Sequence, residues 1–366
     1  MKNNDMHSAT ILPLHSGKAP RWLFMRMVKL GGEIATVIIE EFGPDELLRR
    51  LSDSNWFQAL ACTIGYDWHS SGTTTVTMAA LKEALKEDKY LAIAGGKGKA
   101  GTNTPNDIVE QADRLSIPQR AQSFVDMSRL AAKVDGAFVY DNISIYHHNF
   151  LFTKNGKWAV VQQAMQNDTG SAIRFQWLGE HIDEKDIANE PHSGIGTALR
   201  QTTLDLTANA NTWARQGLAE ATKEYDIVVN KFSYPKRHRI IKEIDIGKKG
   251  LEAIKRAGEA EPKDYKELLL VKGLGRRTVR SLALVASIIF DKELAYRDPV
   301  AFAYNVGGKD GIPFPVDKHA YDLLIEDMQL IIDKANVESH EKYGALKRLS
   351  DYINNRKSIS GVADAK

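Results

Sequence analysis

Apolar residues in the first part of the chain follow the spacing of amphipathic helices. From Ala19 to Glu41 they recur at helical intervals. Pro20 suits the first turn of this helix, because its fixed φ is compatible with helix initiation. Gly43 and Pro44 end this pattern, and Asp45 begins another. Further helices are predicted in the second half of the segment from Gly65 to Leu85, after Thr104 as an N-cap, and from about Pro118 to Lys133.

After Val134 the apolar pattern changes to the two-residue period of β-strands. The segments ISIYHHNFLFT and KWAVVQQAM flank Asn155-Gly156, a dipeptide typical of tight β-hairpins. The segment SAIRFQWL is suited to a third antiparallel strand. From Thr197 to Asp351 the pattern is almost wholly helical. We therefore predict an α+β protein: a mixed α/β domain (residues 1–196) containing an antiparallel hairpin or meander, a helical domain (197–357) and a polar tail (358–366).

Composition narrows the class of protein. The chain has 366 residues, 43% hydrophobic and 26% charged, which is typical of a globular protein with two domains. Cys62 is the only cysteine, so an intrachain disulfide and a multi-cysteine zinc site are excluded. The chain lacks a signal-peptide pattern and an apolar run near the roughly 20 residues of a membrane helix. We expect a cytoplasmic protein without a membrane partner.

Positive charge is concentrated in one part of the chain. The formal net charge is only +2, but residues 223–280 contain 16 Lys and Arg against 9 Asp and Glu. This local excess indicates an anionic partner such as nucleic acid.

A glycine turn with basic neighbours lies in this region, in the segment LLLVKGLGRRTVRSLALV. The segment predicts a helix, a turn and a second helix, with Leu268 to Leu270 packed against Leu282 and Val285. Gly273 and Gly275 would let a phosphate approach backbone N–H groups at the start of the second helix. The residues predicted to contact the nucleic-acid backbone are Lys272, Gly273, Gly275, Arg276, Arg277, Thr278 and Arg280.

This segment resembles the helix-hairpin-helix motif, whose usual form is L-x-G-[VL]-G-x-[KR]-T. The alternative is a helix that ends at a glycine and is followed by an ordinary amphipathic helix. In the DNA glycosylases that carry the motif, it is followed by V-D-x-H with a catalytic aspartate. The chain contains Val316-Asp317-Lys318-His319. The resemblance implies that Asp317 stabilises a sugar cation or activates water, with no cofactor required.

Two departures separate the chain from those glycosylases. Bifunctional members have a Schiff-base lysine at the position of Arg277, and a guanidinium cannot serve as that nucleophile. The resemblance therefore implies a monofunctional enzyme, unless Lys272 or Lys309 supplies that amine. The distance from the hairpin to Asp317 is also longer than usual, so Asp317 as a simple helix N-cap is the alternative. Within this longer segment, Gly308 and Lys309 form a loop that either contacts a ligand or is a surface excursion.

Three other groups of residues are candidates for chemistry. Asp67 and His69 lie in a loop with two serines, which favours a polar binding loop over a Ser-His-Asp triad. The run Gly95-Gly96-Lys97-Gly98-Lys99 has the composition of a phosphate-binding loop, in which Lys97, Gly98 and Lys99 would contact the phosphate, but it lacks the Walker A ending. Acidic residues around the β-hairpin, Asp135 and Asp141, together with Gln163, faintly resemble the strands of metal-dependent nucleases, without their E-x-K motif. A nuclease of this kind would need Mg²⁺, and the sequence identifies no ligand set for a metal.

Long segments of the chain resemble the family described as domain of unknown function 763. They include PLHSGKAPRWLFMRM, GYDWHSSGTTTVTMAALKEAL, AGGKGKAGTNTP and GGKDGIPFPVDKHAYD. This resemblance implies no particular reaction.

We therefore expect a protein of DNA processing or repair that binds nucleic acid, with DNA favoured, and performs base excision through Asp317. Two alternatives remain open: a metal-dependent nuclease acting on structured DNA, and a nucleic-acid-binding protein without catalytic activity. The oligomeric state is not determined by the sequence.

Overall fold

The computed structural model describes residues 19–66, 72–140, 142–168, 170–197, 201–231, 247–299 and 318–360. The α-helices are α1 (Arg21–Phe42), α2 (Pro44–Ser52), α3 (Ser54–Thr63), α4 (Gly72–Ala84), α5 (Lys99–Thr102), α6 (Thr104–Arg114), α7 (Ala121–Val134), α8 (Thr212–Lys231), α9 (Gly247–Glu259), α10 (Tyr265–Leu270), α11 (Arg276–Ile289), α12 (Lys318–Lys334) and α13 (Ser339–Ser360). The strands are β1 (Leu91–Lys97), β2 (Ile143–Thr153), β3 (Trp158–Gln166), β4 (Ala172–Leu178), β5 (His192–Gly196), β6 (Thr203–Leu204) and β7 (Tyr296–Arg297). Short 3₁₀ turns occur at Pro118–Arg120, Gly179–His181 and Asn209–Asn211, and a π-helical turn at Asp135–Val139 extends α7.

The first five strands form an antiparallel meander in the order β1-β2-β3-β4-β5. Phe152 pairs with Trp158 beside the tight β2–β3 turn, in which Gly156 has a φ of +84°. That conformation is inexpensive for glycine, which explains the hairpin at Asn155-Gly156. The strand alternation then places His148 and Phe150 on one face and His147 and Asn149 on the other.

Each face of this sheet is covered by helices. On one face, Phe150, Phe152 and Trp177 belong to a core that continues into α6, α7, α8, α9, α10 and α11. On the other face, Leu151 and Val161 belong to a core formed with α1, α2, α3, α4, α12 and α13. The fold is therefore α+β, with a mainly helical C-terminal region that contributes to the cores on both sides of the sheet.

Several local predictions are confirmed. The first helix ends at Phe42, and Gly43, with a φ of +89°, separates it from α2. The β2–β3 hairpin and the third strand also form as expected. The division of the chain into domains at residue 196 stays a prediction.

Other local predictions are wrong. Thr104 is not an N-cap: it is the first residue of α6, and its hydroxyl donates to the Gly101 carbonyl oxygen at 2.6 Å. The glycine-rich segment from Leu91 to Lys97 is a strand, because β2 supplies a complete ladder of backbone partners. The region after Thr197 also contains a small ladder of β6 with β7, two strands of two residues each.

No helix in the described ranges is both long and apolar enough to span a bilayer.

Candidate nucleic-acid interface

The helix-turn-helix at Tyr265–Ile289 is built on a well-capped first helix. The Asp264 side chain accepts hydrogen bonds from the backbone N–H groups of Lys266 and Glu267, which satisfies two otherwise free donors of α10. Leu268 and Leu269 are completely buried, whereas Leu270 is 41% exposed. Of the three leucines, two therefore fasten the helix to the core, and the third faces outward.

In the turn between α10 and α11, the two glycines are exposed to solvent and the residue between them is buried. Gly273 has a φ of +90°, in the region that favours glycine. Leu274 is only 2% exposed, so its side chain anchors the turn. Gly275 is exposed and extended, with a φ of −110° and a ψ of 174°. Apart from its chain neighbours, no atom of the described residues lies within 4 Å of where a Cβ on Gly275 would stand. The backbone at this point is therefore open to an approaching molecule.

The amino terminus of α11 is equally open. Gly275 is its N-cap and supplies no side-chain hydrogen bond, and the first turn contains no acidic residue. The first N–H groups of an α-helix have no partner within the helix, and the helix dipole places partial positive charge there. A helix of 14 residues that begins in this way favours an anion at its start.

The basic residues of the segment have different environments. Lys272 and Arg277 are exposed. Arg276 is half-buried, and its Nη1 donates to the backbone carbonyl of Ile143, which ties α11 to the start of β2. Thr278 and Arg280 are 3% and 6% exposed, so they lie below the surface formed by the turn. The exposed positive charge at the turn therefore comes from Lys272 and Arg277.

A further arginine at the turn lies outside the motif. Arg256 of α9 is exposed, and its Nη2 is 3.4 Å from the Lys272 carbonyl oxygen. The same nitrogen would be 2.7 Å from a Cβ on Gly273, so the guanidinium lies directly over that glycine. The sequence indicated a basic region, but the packing of α9 on the turn singles out Arg256. We call Arg256, Lys272, Gly273, Gly275 and Arg277 the hairpin surface.

The turn is fastened to the rest of the molecule by Lys133. Its Nζ donates to the Leu274 carbonyl oxygen at 3.1 Å. Burial lowers the pKa of Lys133, because the charged form loses solvation. Lys133 lies at the end of α7, 141 residues from its partner. Sequence patterns gave no signal for this contact.

The Lys97-Gly98-Lys99 segment is exposed but offers few free backbone donors. The Gly98 N–H donates to the Tyr146 carbonyl oxygen at 2.9 Å. The Gly95 N–H, just before it, donates to Oδ2 of Asp107 at 2.8 Å. A Cβ at Gly95 would stand 2.2 Å from the backbone oxygen of His148. Close packing against His148 therefore explains why residue 95 is glycine. The groups that remain available to bind an anion are the exposed side chains of Lys97 and Lys99.

A buried chain of hydrogen bonds crosses the sheet from α7 to β5. Ser128 Oγ lies 2.8 Å from Nε2 of His148, and Nδ1 of His148 lies 2.8 Å from Oε1 of Gln162. The Gln162 amide nitrogen donates to Oδ2 of Asp135. Because that nitrogen is a donor, Oε1 must accept, which assigns the proton to Nδ1 of His148. Burial lowers the pKa of His148, which favours the neutral ring with its proton on Nδ1.

Asp135 has additional partners and no free oxygen. Trp177 Nε1 donates to its Oδ2 at 3.0 Å, and His192 Nε2 is 2.6 Å from its Oδ1. The Asp135 side chain is completely buried. Gln163, the other candidate near the β2–β3 hairpin, donates a hydrogen bond from its side-chain amide to the Tyr146 hydroxyl. Among the described residues, no three His, Cys, Asp or Glu side chains form a group that could hold a metal ion.

His147 lies on the opposite face of β2 from His148, as the strand alternation predicts. It is 1% exposed, and neither ring nitrogen has a hydrogen-bond partner of acceptable geometry in the described part of the chain. Burial lowers the pKa of His147 to about 3, with smaller contributions from neighbouring His148 and from the positive charge of Lys97, and the Asn149 side chain opposes this only in part. His147 is therefore neutral throughout the physiological range.

Six predicted site residues lie outside the described residues: Asp67, His69, Asp141, Gly308, Lys309 and Asp317. Their proposed roles stay predictions. Asp317 directly precedes α12, which begins at Lys318.

Comparison with known proteins gives a family but no activity. The family model described as "Protein of unknown function (DUF763)" matches residues 8–316. No curated protein and no solved structure matches the chain.

Proposed function

The chain belongs to the DUF763 family, whose description states no activity, and from the hairpin surface we propose that it binds the phosphate backbone of DNA without reading its sequence. One observation carries this proposal: the uncapped start of α11 coincides with an open backbone at Gly275. Helix starts with free N–H groups bind phosphate oxygens directly.

The charges around this point support the proposal. Arg256, Lys272 and Arg277 are exposed, and no acidic residue lies in the first turn of α11. Each lysine or arginine that neutralises a phosphate releases condensed counterions, so binding becomes strongly dependent on salt. Contacts to phosphates fix the position of a protein on the duplex but do not distinguish bases. The hairpin surface therefore supports an anchoring role.

Base excision through Asp317 is the catalytic function that we propose for the anchored protein. Its support is the order of motifs in the chain, where the hairpin is followed by Val316-Asp317-Lys318-His319. An ionised carboxylate beside the anchored backbone would stabilise the positive charge that develops on the sugar. Arg277 at the lysine position of bifunctional enzymes favours hydrolysis without strand cleavage.

The nuclease alternative has less support. Both oxygens of Asp135 accept hydrogen bonds from protein groups, and the Gln163 amide is directed to Tyr146. A carboxylate in that state would have to break buried hydrogen bonds before it could bind Mg²⁺. The other alternative is a nucleic-acid-binding protein without catalytic activity, and an excision assay distinguishes it from a glycosylase.

The anchor is tested by replacing Gly275 with aspartate. At an N-cap, aspartate accepts hydrogen bonds from the first turn and is favourable to the helix dipole, so we expect about 0.5 kcal/mol of added stability. The same carboxylate occupies the phosphate position and repels it, so affinity for a fluorescein-labelled duplex should fall more than about tenfold. Fluorescence anisotropy and thermal unfolding measure the two effects.

Gln119→Glu provides the control for added negative charge. Gln119 is exposed next to the start of α7, at the opposite end of that helix from Lys133 and roughly 20 Å away along its axis. This variant should bind DNA like the unmodified chain. If Gly275→Asp is stable and keeps full affinity at low salt, the hairpin surface is not the anchor.

Excision is tested with end-labelled single-stranded and duplex DNA containing uracil, hypoxanthine or 8-oxoguanine, in EDTA or in magnesium. We expect breaks that require alkali, persist in EDTA and disappear in Asp317→Asn. Breaks that need magnesium but no alkali would instead support the nuclease. DNA binding without breaks under all conditions would leave only the binding function.

A further inference from the structure

A cavity of about 390 Å³ lies between α1, the end of α3 and α13. Helices α1, α3 and α13 cover the face of the sheet opposite to the one that carries α10 and α11. The cavity is thus separate from the hairpin surface. The residues of its wall that bear on ligand binding are Trp22, Arg26, Gly65, Glu341, Gly344 and Arg348.

Arg348 is held rigidly in this wall. Its Nε donates to the Thr63 carbonyl oxygen at 2.8 Å. Gly344 leaves room for the guanidinium, because a Cβ there would stand 3.2 Å from Nη1, whereas a Cβ on Gly65 would be in ordinary contact at 3.8 Å from Nε. In the described part of the chain, Nη1 and Nη2 have no hydrogen-bond partner. The planar group therefore presents a fixed pair of donors, the geometry that suits phosphate.

A second arginine, Arg26, lines the same cavity. The pKa of Arg348 is lowered by burial and by the positive charge of Arg26. Across the described ranges, neither arginine forms an ion pair. Glu341, also in the wall, is 3.2 Å from Nζ of Lys29 and already has that cation as its partner. Two like charges at one cavity repel each other, and a bound anion would relieve this repulsion.

Trp22 adds a flat aromatic surface at the same cavity. It is 64% exposed, an unusually large exposure for tryptophan. The Arg26 guanidinium carbon lies 5.6 Å from the centroid of its ring. An exposed aromatic ring beside a guanidinium is suited to stacking against a nucleic-acid base.

We propose that this cavity binds a phosphate monoester attached to an aromatic base, with the phosphate on Arg26 and Arg348 and the base on Trp22. The volume falls within the range of small-ligand sites, which run from about 300 to 1,000 Å³. A free nucleoside monophosphate and the 5′-phosphorylated end of a nucleic-acid strand share this chemistry.

Calorimetric titration of the full chain tests the proposal. Adenosine 5′-monophosphate should bind, adenosine should bind at least about tenfold more weakly, and Arg26→Gln should weaken the nucleotide by about tenfold. Trp22→Ala should cause a comparable loss, which Trp22→Phe restores in large part because the stacking surface returns. Arg21→Gln is the matched control, since Arg21 is exposed on the same helix but does not line the cavity.

A competition experiment distinguishes the two sources of the ligand. In the Gly275→Asp background, a 5′-phosphorylated single strand and its 5′-hydroxyl counterpart compete with the nucleotide. Competition by the phosphorylated strand alone identifies a strand end, and competition by neither strand identifies a free nucleotide; either result supports the site, whereas equally strong competition by both strands would overturn it. Equal binding of adenosine and its monophosphate, or unchanged nucleotide affinity in folded Arg26→Gln, would overturn it. Loss of nucleotide binding in Gly275→Asp would assign the ligand to the hairpin surface instead.

Discussion

Lys133 and Leu274 connect the hairpin turn to α7, which packs on the sheet. The Lys133 Nζ donates to the Leu274 carbonyl oxygen at 3.1 Å, and the Leu274 side chain is itself buried. Both the backbone and the side chain of this residue are therefore fixed. If the hairpin surface binds phosphate as we propose, the phosphate would meet a turn whose backbone is already held in place, so binding would require little ordering.

Replacing Lys133 with methionine tests this connection. Methionine preserves much of the packing but leaves the Leu274 carbonyl without its donor, so we expect a loss of about 1–2 kcal/mol in unfolding free energy. DNA affinity should fall because the turn is less ordered, while the dependence on salt should stay unchanged because no phosphate contact is lost. Urea unfolding and anisotropy at several salt concentrations measure both. Lys154→Met, at an exposed position in the β2–β3 turn, should change neither.

Arg277 should account for one phosphate contact. In Arg277→Gln, affinity should fall for all duplex sequences alike, and the slope of log affinity against log salt should become shallower by about 1. The structural reason is that Arg277 is exposed at the start of α11. Lys154→Gln removes one exposed charge from the β2–β3 turn and serves as control. A loss that varies with DNA sequence would contradict a pure backbone contact.

Alanine should lower the stability at one of the two turn glycines and leave it nearly unchanged at the other. At Gly273, the φ of +90° is strained for any residue with a Cβ, so Gly273→Ala should lose about 1–3 kcal/mol. At Gly275, the backbone is extended and no group in the described ranges lies within 4 Å of the new Cβ, so Gly275→Ala should stay within about 0.5 kcal/mol. Thermal unfolding compares the pair. Equal losses would mean that the turn has a different conformation.

His147 should make the protein sensitive to acid. Its pKa is about 3 in the folded state against 6.5 without burial, so the unfolded chain binds a proton that the folded chain does not. Above pH 6.5 this group does not lower the unfolding free energy. As the pH falls from 6.5 toward 3, protonation of the unfolded chain lowers it progressively. Between these limits the loss from this group is about 1.4 kcal/mol per pH unit.

His147→Leu should remove this contribution and flatten the dependence of unfolding free energy on pH. His148 also has a lowered pKa and will retain part of the slope. Urea unfolding at pH values from 7 down to 4 provides the measurement. His181→Gln, an exposed histidine, should leave the slope unchanged. An identical slope in His147→Leu would show that His147 titrates normally.

Local sequence features predicted those parts of the fold that depend on neighbouring residues. Gly43-Pro44 ends a helix and Asn155-Gly156 forms a hairpin, because each dipeptide restricts the backbone wherever it occurs. Strand β1 was missed because Gly95 and Gly96 lack strand propensity, and its ladder with β2 depends on residues about fifty positions later. The β6–β7 pair was missed for the same reason, since Leu204 pairs with Tyr296.

Some features of the candidate site likewise follow from the sequence, and others depend on the tertiary structure. The sequence by itself determined the glycine turn, the start of α11 and the local excess of positive charge, because these follow from residue type and short spacing. Only the tertiary structure decided which cations face solvent. Arg280 is buried, Arg276 is bound to Ile143, and Arg256 lies over Gly273. The physical reason is that exposure depends on how α7, α9 and β2 pack around the hairpin, and that packing is set by contacts between residues far apart in the chain.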